Sequence, residues 1–163
     1  MPLITVDGFK PDAFVTVADD APLPEEGGAI VSLSRFRKDR DTLLARNTPI
    51  GVRLKAEESP EQLGEDVDRF SVVALEFPKF RDGRAFSWAR QLRARLHFQG
   101  EVRALGDFLY DQIAYQHRVG FNAWEVPESF KTDDLHRALG EIRNVYQPAA
   151  DGRKTIRELR AGL

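Results

Sequence analysis

Apolar positions along this chain follow two rhythms. Short runs, AIVSL, PIGVRL, SVVALEF, GEVRAL and NAWEV, are each followed by a stretch in which apolar residues recur every three or four positions. Unbroken apolar runs mark strands buried on both faces, and the three-to-four spacing marks helices with one buried stripe. About five such βα units predict an α/β domain with a mostly parallel sheet, either open or a partial TIM-barrel-like sheet, because five units are too few to close an eight-unit barrel. Ahead of them, LITVDGFKPDAFVTV sets two β-rich segments around an Asp-Gly turn signal and a proline, which predicts a β-rich N-terminal hairpin or edge-strand pair. ADDAPLPEEGG then reads as a loop.

The helices are signalled by their ends as well as their stripes. Ser59-Pro60-Glu61-Gln62 supplies an N-cap, a proline at the first helical position and a glutamine three residues on, with Leu63, Val67 and Phe70 behind it. Ala85, Trp88, Ala89, Leu92 and Leu96 form one stripe, and Gly100 is placed to cap it after a frayed turn. Asp107 and Gly120 bracket a third helix as its N-cap and C-terminal cap. The last long helix spans about Asp133 to Tyr146, with two acids at its positive end and Leu135, Leu139, Ile142 and Tyr146 on one face. The pattern predicts a single α/β domain over residues 1–148 and a polar C-terminal tail over 149–163.

Composition narrows the chemistry. The 163 residues include no cysteine, so a cysteine-ligated iron–sulfur cluster, a thiol nucleophile and a disulfide relay are excluded. A formal charge of -2 gives no general attraction to nucleic acid. No apolar run approaches the roughly 20 residues that span a bilayer. The start, MPLITVDGF, lacks the basic and apolar segments of a secretory signal, which points to the cytoplasm. His97, His117 and His136 show no ligand-like spacing, so no metal site is expected. GxGxxG after a strand, a Walker loop and GxSxG are all missing.

In parallel α/β sheets ligands bind beyond the carboxyl ends of the strands, where loops and helix N-termini converge. That rule selects Ser34-Arg35, the Lys55–Ser59 loop, Glu76 through Arg84, Gly106-Asp107 and Glu125 through Ser129. Lys79, Arg81 and Arg84 near a helix start are candidates to hold a sulfate-like or phosphate-like anion, and if the protein is an enzyme Arg84, Arg103 and Asp107 are its candidate binding residues. Asp82 reads as the N-cap, and Gly83 and Gly106 as turn residues. The tripeptide itself is weak evidence, because Asp151-Gly152-Arg153 repeats it in the tail with no strand before it. Gln112 and Gln116 fall within the apolar arc of their helix, which makes each a candidate for bonding a loop, lining a cleft or meeting a second subunit. Asp111 and Arg118 point the other way, where a solvated face is the simpler reading.

The stretch FPKFRDGR through WARQLR, followed by GEVRALGD, DQ and RVGFNAW, resembles an uncharacterised proteobacterial family, domain of unknown function 934. Its members are usually encoded beside sulfite reductase genes and often labelled probable oxidoreductases of sulfite reduction. The resemblance extends to VADDAPLPEEGGAIVSL and RDTLLARNTPIGVRL, and thus over nearly the whole chain. Phe86 stands where relatives carry Tyr, which removes a hydroxyl and argues against an acid at that position. The resemblance implies an accessory role in assimilatory sulfate and sulfite reduction, docking on sulfite reductase or a related sulfur-assimilation enzyme and binding an oxyanion. If the protein is an enzyme, the resemblance implies an oxidoreductase; no cofactor is evident, and a flavin or nicotinamide held without a fingerprint stays open. The alternative is a small α/β enzyme acting on an anionic or phosphorylated metabolite at the strand ends. A homodimer with Gln112 at a two-fold interface is the third reading.

Overall fold

The computed structural model describes residues 1–141 and 144–162. Its strands are β1 (Leu3–Thr5), β2 (Gly8–Lys10), β3 (Phe14–Thr16), β4 (Gly28–Ser32), β5 (Ile50–Leu54), β6 (Val72–Phe77), β7 (Glu101–Gly106) and β8 (Ala123–Glu125). The α-helices among the described residues are α1 (Leu33–Lys38), α2 (Arg40–Leu44), α3 (Arg84–Ala94), α4 (Ile113–Val119), α5 (Thr132–Glu141) and α6 (Ile156–Ala161). All eight strands join one sheet in the order β2-β1-β8-β7-β6-β5-β4-β3. Neighbours from β3 to β8 pair in parallel, and β1 pairs antiparallel with both β2 and β8.

The sheet is open and strongly curled, a half-barrel, and its connections require that shape. Laid flat, eight strands about 4.8 Å apart would hold their edges roughly 34 Å apart. Yet the two edge strands, β2 and β3, are joined only by residues 11–13, a link that reaches about 14 Å at full stretch. The curl brings the edges together. Pro11 ends β2, and Asp12 accepts a hydrogen bond from the Phe14 N–H (3.0 Å) as the chain turns into β3. The N-terminal hairpin is therefore Leu3 to Lys10 alone, and the second β-rich segment, FVT, crosses to the far edge.

Alternation along the strands sorts the side chains into two layers. On the convex face Val31, Val52, Leu54, Val73, Leu75, Phe77, Val102 and Trp124 pack with Leu33, Phe36, Ala89, Leu92, Ile113 and Leu135 into the main core. On the concave face Ile30, Val72, Ala74 and Leu105 form a small second cluster capped by Phe14. Gly51 makes room for it, since a Cβ there would stand 2.9 Å from Ile30 and 3.1 Å from Val72.

Several helix expectations are corrected. The segment after Ser59 is not α-helical: Pro60–Arg69 is 3₁₀, broken at Gly64 (φ 58, ψ -136), although Leu63, Val67 and Phe70 are buried. Glycine tolerates that φ, so the chain turns there instead of winding on. Helix α3 ends at Ala94, and Gly100 is not its cap. Gly100 instead leads into β7, where a Cβ would meet the Ser71 carbonyl at 2.7 Å. Asp107 does not cap α4, which begins at Ile113 after a 3₁₀ turn over Tyr110–Gln112. Gly120 does follow α4 as its C-terminal cap (φ 122). In α5, Leu135 is buried and Leu139 half-buried, but Tyr146 lies beyond the helix and is exposed; Ile142 lies outside the described residues.

The region after Pro148 is tied down. Ala150 donates to the Arg118 carbonyl (2.9 Å), Ile156 to Val145 (2.8 Å), and α6 opens with a capping box between Thr155 and Glu158. The pattern Thr-x-x-Glu in TIRE was the available signal for that helix.

Candidate functional site

The loop from Phe77 to Arg84 lies beyond the carboxyl end of β6, and it is braced by Asp107 and Gln112 from the segment after β7. The Asp107 N–H donates to the Phe77 carbonyl (2.8 Å), while the Asp107 carboxylate accepts from the Phe80 N–H (3.4 Å). Gln112 donates through Nε2 to the Phe80 carbonyl (2.8 Å) and accepts through Oε1 from the Leu109 N–H (3.0 Å). One amide thus ties together two strand-end loops. Within the turn, the Asp82 N–H donates to Lys79 (2.8 Å), and the Asp82 carboxylate accepts from the Arg84 backbone N–H (3.2 Å), Nε (3.0 Å) and Nη2 (2.6 Å). Those Arg84 bonds hold the Asp82 carboxyl at about 2, below its ordinary 3.8.

What this brace presents is apolar and cationic. Phe80 is 37% exposed and Leu109 43%. Lys79 and Arg81 are exposed, and the Arg81 guanidinium stands 5.2 Å from the centre of the Phe80 ring. Gly83 occupies the N-cap position of α3 (φ -85, ψ 0), so Asp82 stands one residue before the cap position assigned to it. Asp82 still serves the turn, by accepting the Arg84 N–H. At Gly106 (φ 92) a Cβ would run into the Phe77 carbonyl oxygen, and that close approach permits the Asp107-to-Phe77 bond.

The structure keeps the candidate ligand-binding residues together except for Arg103. Lys79, Arg81, Arg84 and Asp107 belong to the loop, with Arg84 spent on Asp82. Arg103 instead lies on the concave face of β7, 1% exposed, where it donates to Asp12 through Nη1 (2.6 Å) and Nη2 (3.0 Å), and to Glu101 through Nε (2.7 Å). Glu125 stands 3.4 Å from Nη1. Burial alone would weaken proton binding at Arg103, but the Asp12 and Glu101 carboxylates outweigh it and raise its pKa. With three carboxylates around it, Arg103 pins the β2–β3 crossing to the sheet.

The two glutamines separate. Gln112 bonds a loop, the first of its three readings. Gln116 is fully buried and accepts the Trp124 indole N–H (2.7 Å), while its own Nε2 lacks a partner among the described residues. Arg118 is no solvated surface residue: it donates to the Asp151 carboxylate (3.2 Å) and the Gln147 carbonyl (2.6 Å). Asp151-Gly152-Arg153 is a second braced turn, in which Asp151 also accepts the Arg153 N–H (3.3 Å).

A cavity of about 390 Å³ opens at the carboxyl ends of β3, β4 and β5, between Thr16, Asp19, Ser32, Arg53 and Lys55. Ser32 and Ser34 donate to the Asp19 carboxylate (2.5 and 3.1 Å), and these bonds lower its pKa. Ser32 also accepts the Arg35 N–H (3.0 Å) at the start of α1, so its hydroxyl is occupied on both sides. Arg53 donates to Glu76 (2.8 Å). The strand-end rule reached this corner through Ser34-Arg35 and the Lys55 loop, but Asp19, in a segment read as plain loop, carried no local signal. Among the described residues no group of three or more His, Cys, Asp or Glu side chains could hold a metal ion, and no helix is long and apolar enough to cross a membrane.

No curated protein matches this chain. The model of a family described as bacterial protein of unknown function (DUF934) matches residues 51–157. The match takes in the braced loop, Arg103 and both glutamines, and extends from β5 to the first turn of α6. Covering well over half of the residues, it shows that the chain belongs to the DUF934 family.

Proposed function

We propose that this protein is an accessory component of assimilatory sulfite reduction that works by docking on sulfite reductase or a related sulfur-assimilation enzyme, with the Phe77–Arg84 loop as its docking element. The carrying observation is the mismatch between how firmly that loop is held and how much apolar surface it shows. A plain strand-to-helix turn needs neither a half-exposed phenylalanine nor an amide that fixes its backbone to Leu109. Rigid apolar side chains ringed by cations suit an apolar recess with an acidic rim, since docking then orders few side chains. The pathway comes from the family resemblance in FPKFRDGR and the segments after it.

Phe80→Ala and Arg81→Glu test the reading, because both side chains are exposed and their loss should leave the fold intact. The parent should co-purify with sulfite reductase from a native extract, both variants should lose it, and a deletion strain should grow poorly on sulfate as sole sulfur source. Normal growth of that strain, or undiminished capture by both variants, would overturn the proposal.

A second reading, an enzyme acting on an anionic metabolite, draws on Arg53 and Lys55 at the strand-end cavity. Asp19 and Glu76 offset their charge there, which makes it the weaker of the two.

A further inference from the structure

On the convex side, α3, α4 and the segment 147–150 enclose a groove of about 530 Å³, within the range of small-molecule sites. Arg90, Arg93 and Arg118 line it together with Gln99, Tyr115 and Gln147, and no described carboxylate does. Two of the three guanidiniums are fixed in place by part of their donors. Arg93 donates through Nε to the Gly120 carbonyl (3.0 Å) and through Nη1 to those of Phe98 (2.6 Å) and Gly100 (2.9 Å). Its Nη2 has no protein acceptor among the described residues. Arg118, 15% exposed, spends Nε on Asp151 and Nη2 on Gln147, and its Nη1 is likewise without an acceptor among them. Arg90 is exposed and in no ion pair among the described residues.

The charge balance is one-sided. Arg93 is held by carbonyls alone, burial lowers its pKa, and Asp151 behind Arg118 is the one carboxylate set against the three cations among the described residues. Part-buried guanidiniums with unused N–H groups on a preorganised frame are the arrangement that binds phosphate or sulfate oxygens. Tyr115 adds a ring that is 53% exposed and steadied by Phe86 at 5.2 Å between centres, a face on which a flat group can stack.

We propose that this groove binds a small organic anion carrying a phosphate or sulfate group and a flat ring, with Arg90, Arg93 and Arg118 holding the anionic group and Tyr115 the ring. The site is separate from the docking loop, so the two readings stand or fall independently.

Adenosine monophosphate, titrated calorimetrically into the full chain, is the probe, with adenosine as the uncharged control. Binding with a Kd below about 1 mM is expected, weakening in high salt, with adenosine at least about tenfold weaker. Arg90→Ala should weaken binding about tenfold and Arg90→Glu abolish it, both with unchanged melting temperature, while Phe80→Ala and Arg53→Ala bind as the parent does. No heat of binding at about 10 mM adenosine monophosphate, equal binding by Arg90→Glu, or loss on Arg53→Ala instead would overturn the proposal.

Discussion

Replacing Arg103 by Met keeps an unbranched stem and deletes the guanidinium that three carboxylates share. Removing one member of a buried ion network costs about 3–5 kcal/mol when its partners are stranded, whereas exposed pairs contribute only about 0–1 kcal/mol. Arg103 is at the buried extreme, but Asp12, Glu101 and Glu125 keep 32%, 23% and 25% of their side-chain surface and can recover part of their hydration. The expected loss is therefore about 2–4 kcal/mol, a fall of roughly 4–16 °C in Tm for a chain of this size. Urea unfolding should show a lower midpoint at unchanged slope. A cycle with Asp12→Asn should return a coupling of at least about 1 kcal/mol, because the two side chains share two hydrogen bonds. Amide exchange should quicken first at Phe14 to Thr16, the strand that Asp12 leads into. A variant within about 0.5 kcal/mol of the parent, or strictly additive effects with Asp12→Asn, would refute Arg103 as the internal brace.

Gly106→Ala puts a methyl group against the Phe77 carbonyl at a φ of 92, and should cost about 2–4 kcal/mol in a thermal melt; a loss below about 0.5 kcal/mol would mean the approach is looser than described. Gln116→Leu strands the Trp124 indole N–H and should cost about 1–3 kcal/mol, whereas the pair Gln116→Leu with Trp124→Phe should cost less than the two single changes together. Asp82 has a folded-state pKa below its ordinary value, so its contribution to stability is complete above about pH 3.8 and fades as pH falls through about 2. Asp82→Asn should flatten the acid limb of the stability curve in that window, and urea midpoints taken between those limits would reveal it; a curve parallel to the parent's counts against the Asp82–Arg84 contact.

The strands were legible because burial on both faces writes itself into sequence as short apolar runs: Ile50–Leu54 and Val72–Phe77 lie within such runs, and Gly28–Ser32 and Glu101–Gly106 each overrun theirs by a single glycine. Helix starts were less legible, since a good cap residue marks a polar need without saying which backbone N–H will meet it. Asp107 looks like an N-cap and instead accepts from Phe80, 27 residues earlier. Arg103 posed a related problem: an arginine in an apolar strand reads as an anion ligand until the partner at Asp12, 91 residues away, is brought beside it by the curl of the sheet. Gln112 was recognisable as a polar residue on an apolar arc, but its partners lie in loops whose approach no local pattern encodes.

The pairing of β1 with β8 also sets an order of events. Leu3 meets Glu125, and Thr5 meets Ala123, so the first strand of the chain waits for residues more than a hundred positions downstream. Loop closure over that span is slow compared with the neighbouring pairings from β3 through β7. On a ribosome the hairpin emerges first and has nothing to pair with, and β8, once made, keeps an open edge until the hairpin arrives. Aggregation during synthesis should therefore be governed by how quickly the hairpin finds β8, and a circular permutant opened between β2 and β3, in which the hairpin follows α6 and no longer precedes β3, should refold faster than the natural order.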